Sequence, residues 1–195
     1  RGGGRADLKN GVQQANIPYC APMQLFHGVA ARMLDDAADW LFAPMILELP
    51  RTGDETHSST CPIVQASPGV IRQALMRDGT RTQLIDDTIS MCGDNFDSAA
   101  FRKSCRDIAV RLGAGQRFKT AFRRAARRQQ QFMVACREIG GRAVDFAREH
   151  DVPAVVVLGR GYTIYNDVLN SNVPHLLREL GAMAVPVDCY PLAED

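Results

Sequence analysis

The chain contains no Cys-x-x-Cys pair, no apolar run that approaches a membrane span, and almost no net charge. The first absence sets aside a finger-type zinc knuckle and a small disulfide-rich scaffold, since both depend on closely spaced sulfurs. The second sets aside a spanning helix, which takes about 20 consecutive apolar residues. The third, a formal charge of +1, leaves no global attraction to nucleic acid or to a membrane. Neither the dinucleotide fingerprint nor the Walker loop occurs, and no Ser/His/Asp arrangement can be argued from spacing. No complete catalytic set is therefore legible. Arg1-Gly-Gly-Gly-Arg5 is neither a signal peptide nor a transit peptide. The expectation is a cytoplasmic protein with no nucleic-acid or membrane partner. Lacking an initiator methionine and ending abruptly at Asp195, the chain reads as a piece excised from something longer.

What is present is an ordinary globular composition. Of 195 residues, 46% are hydrophobic and 23% charged, enough to build a proper core. Six cysteines are scattered at positions 20, 61, 92, 105, 136 and 189. Cys105 and Cys136 fall in helical segments and read as packing residues. Cys92 lies in the turn-like Met91-Cys-Gly-Asp-Asn95. Cys20 and Cys61 share a different setting, each beside a proline at the start of a helix, in Cys20-Ala-Pro-Met and Thr60-Cys61-Pro-Ile-Val-Gln65. A helix N-terminus offers unpaired N–H groups and partial positive charge, which favour a thiolate as metal ligand or nucleophile. Two thiols so placed, far apart in sequence, point to one shared site.

Apolar spacing predicts a helix from about Met23 to Asp39, followed by a short buried strand at Trp40–Pro44. A polar loop over 50–60 leads to a helix with Pro62 in its first turn, running to about Arg77. A strand is expected around Gln83–Ile85, then a helix capped by Asp97 or Ser98 and ended by Gly113. Residues 116–150 form one long helical segment with an apolar seam of Phe118, Phe122, Ala125, Gln129, Phe132, Cys136, Ile139, Ala143 and Phe146. Gly140-Gly141 predicts a kink or break in it. Ala154–Leu158 is an all-apolar run of the kind buried on both faces of a parallel sheet. It leads through Gly159-Arg160-Gly161 to a helix near 171–180 and a strand at 182–187, which together make a βαβ unit. The fold class is α/β and Rossmann-like, a mostly parallel sheet flanked by helices. We expect one domain over 1–195, divisible into sub-lobes 1–115 and 116–195.

In open α/β sheets ligands gather beyond the carboxyl ends of the strands. That edge should carry the Trp40–Pro44 exit, the Gly159–Tyr165 loop and Asp188-Cys189, with Cys61 and Cys20 joining if their helices begin there. Gly159-Arg160-Gly161 is either a phosphate cradle or a tight strand-to-loop turn. Arg117, Lys119, Arg123, Arg124, Arg127 and Arg128 make the first half of the long helix basic. Without interleaved exposed aromatics this is a solvated face, with docking to an acidic partner as the alternative. His27 sits on the first of these helices and is structural unless the Cys20 turn folds back over it. His57 belongs to the polar loop and His150 to a helix end.

Four segments occur in order: Cys20-Ala-Pro-Met-Gln-Leu-Phe-His27-Gly28, Thr60-Cys61-Pro-Ile-Val-Gln65, Gly159-Arg-Gly-Tyr-Thr-Ile-Tyr165 and Pro186-Val-Asp188. Together they resemble the conserved-domain family fused to activators of 2-hydroxyacyl-CoA dehydratases, from about Tyr19 to Pro191. That family is itself similar to the iron–sulfur subunits of the dehydratases and of benzoyl-CoA reductases. The resemblance implies a 4Fe-4S cluster with Cys20 and Cys61 as ligands, and one-electron transfer as the chemistry. Cys189 is a candidate third ligand, and survival of the cluster in an aerobically purified fragment is left open by the resemblance. His27, Gly159, Arg160, Gly161 and Tyr162 would line the site. The family's Gly-Arg-Pro-Tyr-Asn stands here as Gly159-Arg160-Gly161-Tyr162-Thr163, and the activator's own nucleotide motifs are absent. The implied partners are ATPase domains elsewhere in its own chain or a CoA-dehydratase-like protein. Two alternatives belong to other classes: a cluster-free interaction module, and a pocket for a CoA ester or nucleotide at the Gly159 loop.

Overall fold

The computed structural model describes residues 2–14, 20–51, 54–76, 79–91, 96 and 98–191. The expected loop thiol Cys92, the alternative cap Asp97 and the helix end at Arg77 lie outside them. The chain forms two compact units, Ala6–Ala126 and Arg127–Asp195 with Arg1–Arg5.

The first unit contains α1 (Arg5–Gln14, from Ala6 onward), α2 (Ala21–Asp35), β1 (Trp40–Phe42), β2 (Met45–Ile46), α3 (Pro62–Leu75), β3 (Gln83–Ile85), β4 (Thr88–Ile89) and α4 (Ala99–Arg111). β1 pairs parallel with β3, and β2 with β4. The two ladders are one ribbon with a step, because Ala43, Met45 and Leu47 donate to Ile85, Asp87 and Ile89 at 2.9–3.1 Å. The donors are alternate residues, so an N–H at position 44 would point to the other side of β1–β2. Pro44, which has none, therefore interrupts the strand instead of ending it. Trp40 and Phe42 are exposed while Leu41 is buried, so the strand expected to be wholly buried alternates. Its inner face joins Ala30, Ala43 and Ile71, with Met33, Leu34, Leu75 and Leu84 packed around them. Full burial of Ile71 is worth about 1.5–3 kcal/mol.

Helix ends follow local chemistry. Ser98 caps α4 by accepting from the Phe101 N–H at 3.1 Å, and Gly113 takes a left-handed φ of 71° just beyond it. Pro68 lies inside α3, where its missing N–H frees the Val64 carbonyl. The Ser67 hydroxyl donates to that carbonyl at 2.8 Å. Arg72 of α3 and Arg111 of α4 make ion pairs with Asp86 and Asp87 at the step between β3 and β4. α1 and α2 meet backbone to backbone: a Cβ on Gly11 would overlap the Gln24 carbonyl, and one on Gly28 the Asp7 carbonyl. Arg32 closes this crossing with an ion pair to Asp7 at 2.7 Å.

α5 (Phe118–Glu149) is a single helix, entered through a 3-10 turn at Gly115–Arg117, and the boundary between the units falls within it. The break expected at Gly140-Gly141 does not occur. Gly140 serves close packing instead, since a Cβ there would overlap the Cys189 carbonyl. The expected seam is also corrected. Phe132, Ile139 and Phe146 are exposed, whereas Gly140 and Ala147 are buried and Cys136 and Ala143 half-buried. The buried stripe is thus the smaller side chains, those that let another backbone come near. The six basic residues of the first half are all exposed, in keeping with a solvated face.

In the second unit β5 (Ala154–Val157) pairs parallel with β6 (Met183–Pro186), with α6 (Gly161–Ile164) and α7 (Val173–Glu179) between them. The βαβ order is as expected, and so is a left-handed Gly181 after the second helix. Asparagines stitch the segment between the helices. Asn166 accepts from Val168 and Leu169, and the Asn170 amide donates to the Ile164 carbonyl at 2.7 Å. β5, however, is not buried on both faces: Val155 and Val156 are 38% and 36% exposed. Among the described residues each ladder is two strands wide, so β5 has one hydrogen-bonded neighbour and an open edge. The class is α/β with parallel pairs and one long helix.

Gly28→Ala should lower stability by about 3 kcal/mol, because Ala forces the α1 and α2 backbones apart. Gly141→Ala, which meets nothing within 4 Å, should raise it by about 0.5–1 kcal/mol. Urea midpoints measure both, and equal midpoints for the two variants would contradict the crossing.

Candidate functional site

Cys20 and Cys61 are the N-cap residues of α2 and α3. Both take extended backbone angles, φ −62° and ψ 155° for Cys20, φ −56° and ψ 136° for Cys61, and both have a proline in the first helical turn. Neither side chain bonds to its own helix, and both thiols are free and exposed. A cap residue whose side chain is not engaged leaves sulfur and first-turn N–H groups facing the same region.

The parallel ribbon determines where these caps lie. α3 connects β2 to β3 and so runs back against the strand direction, while α2 enters β1 through the short turn at 36–39. α2 and α3 pack on one another and on the ribbon. The N-terminus of α3, with Cys61, therefore stands at the carboxyl edge of β2. Cys61 is tied there by its neighbours. The Thr60 hydroxyl, nearly buried, donates to the Ile46 carbonyl at 2.5 Å, and the Thr60 N–H to the Leu47 carbonyl at 2.9 Å. The Gln65 amide donates to the carbonyls of Thr60 at 3.2 Å and Leu47 at 3.4 Å. Thr60 and Gln65 thus hold the turn that carries Cys61, a part not read from the sequence. Their signal was the motif itself, in which a hydroxyl and an amide flank the cysteine.

His27 lies seven residues after Cys20, hence on the same face of α2 two turns in. It is completely buried, and neither ring nitrogen has a hydrogen-bond partner among the described residues. Burial holds its imidazole below the ordinary histidine value. Gly28 beside it supplies the contact with α1, so the His-Gly pair is one buried polar group next to one backbone crossing.

The remaining expected site residues belong to the second unit. Gly159, Arg160, Gly161 and Tyr162 are exposed, and the Arg160 carbonyl accepts from Thr163 and Ile164 at 2.8 and 3.0 Å to open α6. Gly159 has φ 155°, which favours glycine. The segment makes a tight strand-to-loop turn. Cys189 ends the 3-10 turn after β6, where its sulfur is 3.7 Å from the Tyr165 hydroxyl, and it lies close enough to Cys136 to help raise that thiol's pKa, after burial. Cys105, in contrast, stays half-buried within α4, where burial raises its thiol pKa.

The donor set fits an iron–sulfur cluster in kind. Two unengaged thiols stand at two helix N-termini, where dipole and N–H groups favour a cluster of net negative charge. It does not fit in number, since a cubane takes four ligands and no group of three or more His, Cys, Asp and Glu suited to a metal occurs among the described residues. No helix among them is long and apolar enough to cross a membrane.

Residues 4–190 match the model of a family described as "CoA enzyme activase uncharacterised domain (DUF2229)". No curated protein and no solved structure matches the chain.

His27 gives the site a pH signature. Its folded-state pKa is lowered, so as pH falls below about 6.5 the unfolded chain takes up the proton first. Stability from this group is complete above that value and declines below it. His27→Leu should flatten the decline between pH 6.5 and 5 in urea titrations. An unchanged slope would remove His27 as its source.

Proposed function

Because the chain belongs to the CoA enzyme activase domain family, we propose that it is an activator-type domain whose Cys20 and Cys61 hold two corners of a 4Fe-4S cluster. The observation that carries this reading is the pair of unengaged cysteine caps, each with a proline in the first turn of its helix. When bound, the cluster supplies one-electron transfer. The protein's part is to present two thiols at helix N-termini and hold Cys61 in place through Thr60 and Gln65. The other two corners come from groups outside this pair. Cys189 is the sequence-based candidate for one of them, although its sulfur already has Cys136 and Tyr165 for neighbours.

The partner implied is a dehydratase-like CoA enzyme, or ATPase domains of the same longer protein. The Rossmann-like assignment belongs to the same reading, with the parallel ribbon and the βαβ unit as its support. A cluster-free interaction module is the second reading. The apolar surface of β5 favours it, with Val155, Val156 and Leu158 all exposed.

Anaerobic reconstitution with iron and sulfide, followed by metal analysis and electron paramagnetic resonance of the reduced protein, separates the two. Cys20→Ala and Cys61→Ala should each lose most of the bound iron and the spectrum, while Cys105→Ser keeps both. Iron content unchanged in the first two variants would refute the ligand assignment.

A further inference from the structure

The second unit holds a dithiol that the cluster proposal does not use. Gly140 of α5 lets the backbone at Cys189 approach so closely that a Cβ there would stand 3.1 Å from the Cys189 Cβ. Cys136 is one helical turn earlier on the same face, and Cys189 is near enough to contribute to its raised pKa, after burial. The Tyr165 hydroxyl reaches the Cys189 sulfur at 3.7 Å from the other side. Both cysteines are free and half-buried, and Tyr165 is 56% exposed, so the pair is accessible from solvent. Cys136, on the part of α5 after Arg127, and Cys189, in the turn after β6, both lie within the second unit.

We propose that Cys136 and Cys189 are a site of reversible oxidation, forming an intramolecular disulfide at the expense of a low-molecular-weight disulfide such as oxidised glutathione. Cys189, as thiolate, attacks one glutathione sulfur. The glutathione S–S bond breaks, a Cys189–glutathione bond forms, and the first glutathione leaves as thiolate. Cys136 then gives up its proton and attacks the Cys189 sulfur, which releases the second glutathione. Two protein thiols lose two electrons and two protons in all, and one glutathione disulfide becomes two thiols.

The order follows from the surroundings. The Cys189 sulfur sits beside Tyr165, which is 56% exposed, whereas Cys136 lies on the face of α5 that Gly140 packs and waits as the resolving thiol. The disulfide would staple the turn after β6 to the middle of α5 and close off Cys189 as a ligand.

The test treats the whole reduced chain anaerobically with oxidised glutathione and maps the product by mass spectrometry without reduction. The expected product has lost two hydrogens, joins the tryptic peptides that carry Cys136 and Cys189, and reverts with dithiothreitol. Cys136→Ser should stop at a glutathione adduct on Cys189, and Cys189→Ser should leave Cys136 unmodified. A wild-type chain that stays as a stable glutathione adduct, or that links other cysteines, overturns the proposal. An adduct on Cys136 in Cys189→Ser overturns the order of attack. Cys20 and Cys61 take no part in these outcomes, so the result stands apart from cluster binding.

Discussion

Parallel pairing of residues 40–47 with 83–89 is the constraint on which the first unit depends. Two strands running the same way cannot be joined by a hairpin, so the chain must return along a helix. That return is α3, and α2 enters the ribbon in the same sense. α3 consequently presents its N-terminus at the carboxyl edge, with the N–H groups its own first turn cannot satisfy. Cysteine at that cap converts a geometric by-product of the sheet into a place for negative charge. Thr60 and Gln65 bind the loop before α3 to the end of β2, so Cys61 moves with the strand and not with the loop.

Glycine plays one part repeatedly in this chain. At Gly11, Gly28 and Gly140 a side chain is absent because another backbone carbonyl occupies its place. Helix propensity is sacrificed at each, by about 0.5–1 kcal/mol, for a contact no larger residue permits. The consequence differs between sites. The α1–α2 crossing sets the surroundings of His27, whereas the Gly140 contact sets Cys189 against Cys136.

Features that depend on a few neighbouring residues were legible in the sequence. The starts of α2 and α3, the Ser98 cap, the strand at Gln83–Ile85 and the βαβ order all come from caps, prolines and short apolar runs. What was not legible depends on partners distant in the chain. The valines of β5 show that a strand forms, but their exposure depends on how many strands and layers lie beside it. The expected seam of α5 holds at Phe118 and Phe122, which are half-buried with Phe122 against Phe101, and further on only at its small members Cys136 and Ala143. There the neighbour is a second backbone, admitted at Gly140, and periodicity carries no sign of it.

The central claim is that Cys20 and Cys61 share one site. Dibromobimane measures this directly, because it becomes strongly fluorescent only when both of its arms alkylate thiols close to each other. In a chain whose other four cysteines are replaced by serine, we predict one fluorescent intramolecular crosslink joining Cys20 to Cys61, abolished by unfolding in urea. Separate, non-fluorescent single alkylation of the two thiols in the folded protein would contradict the account.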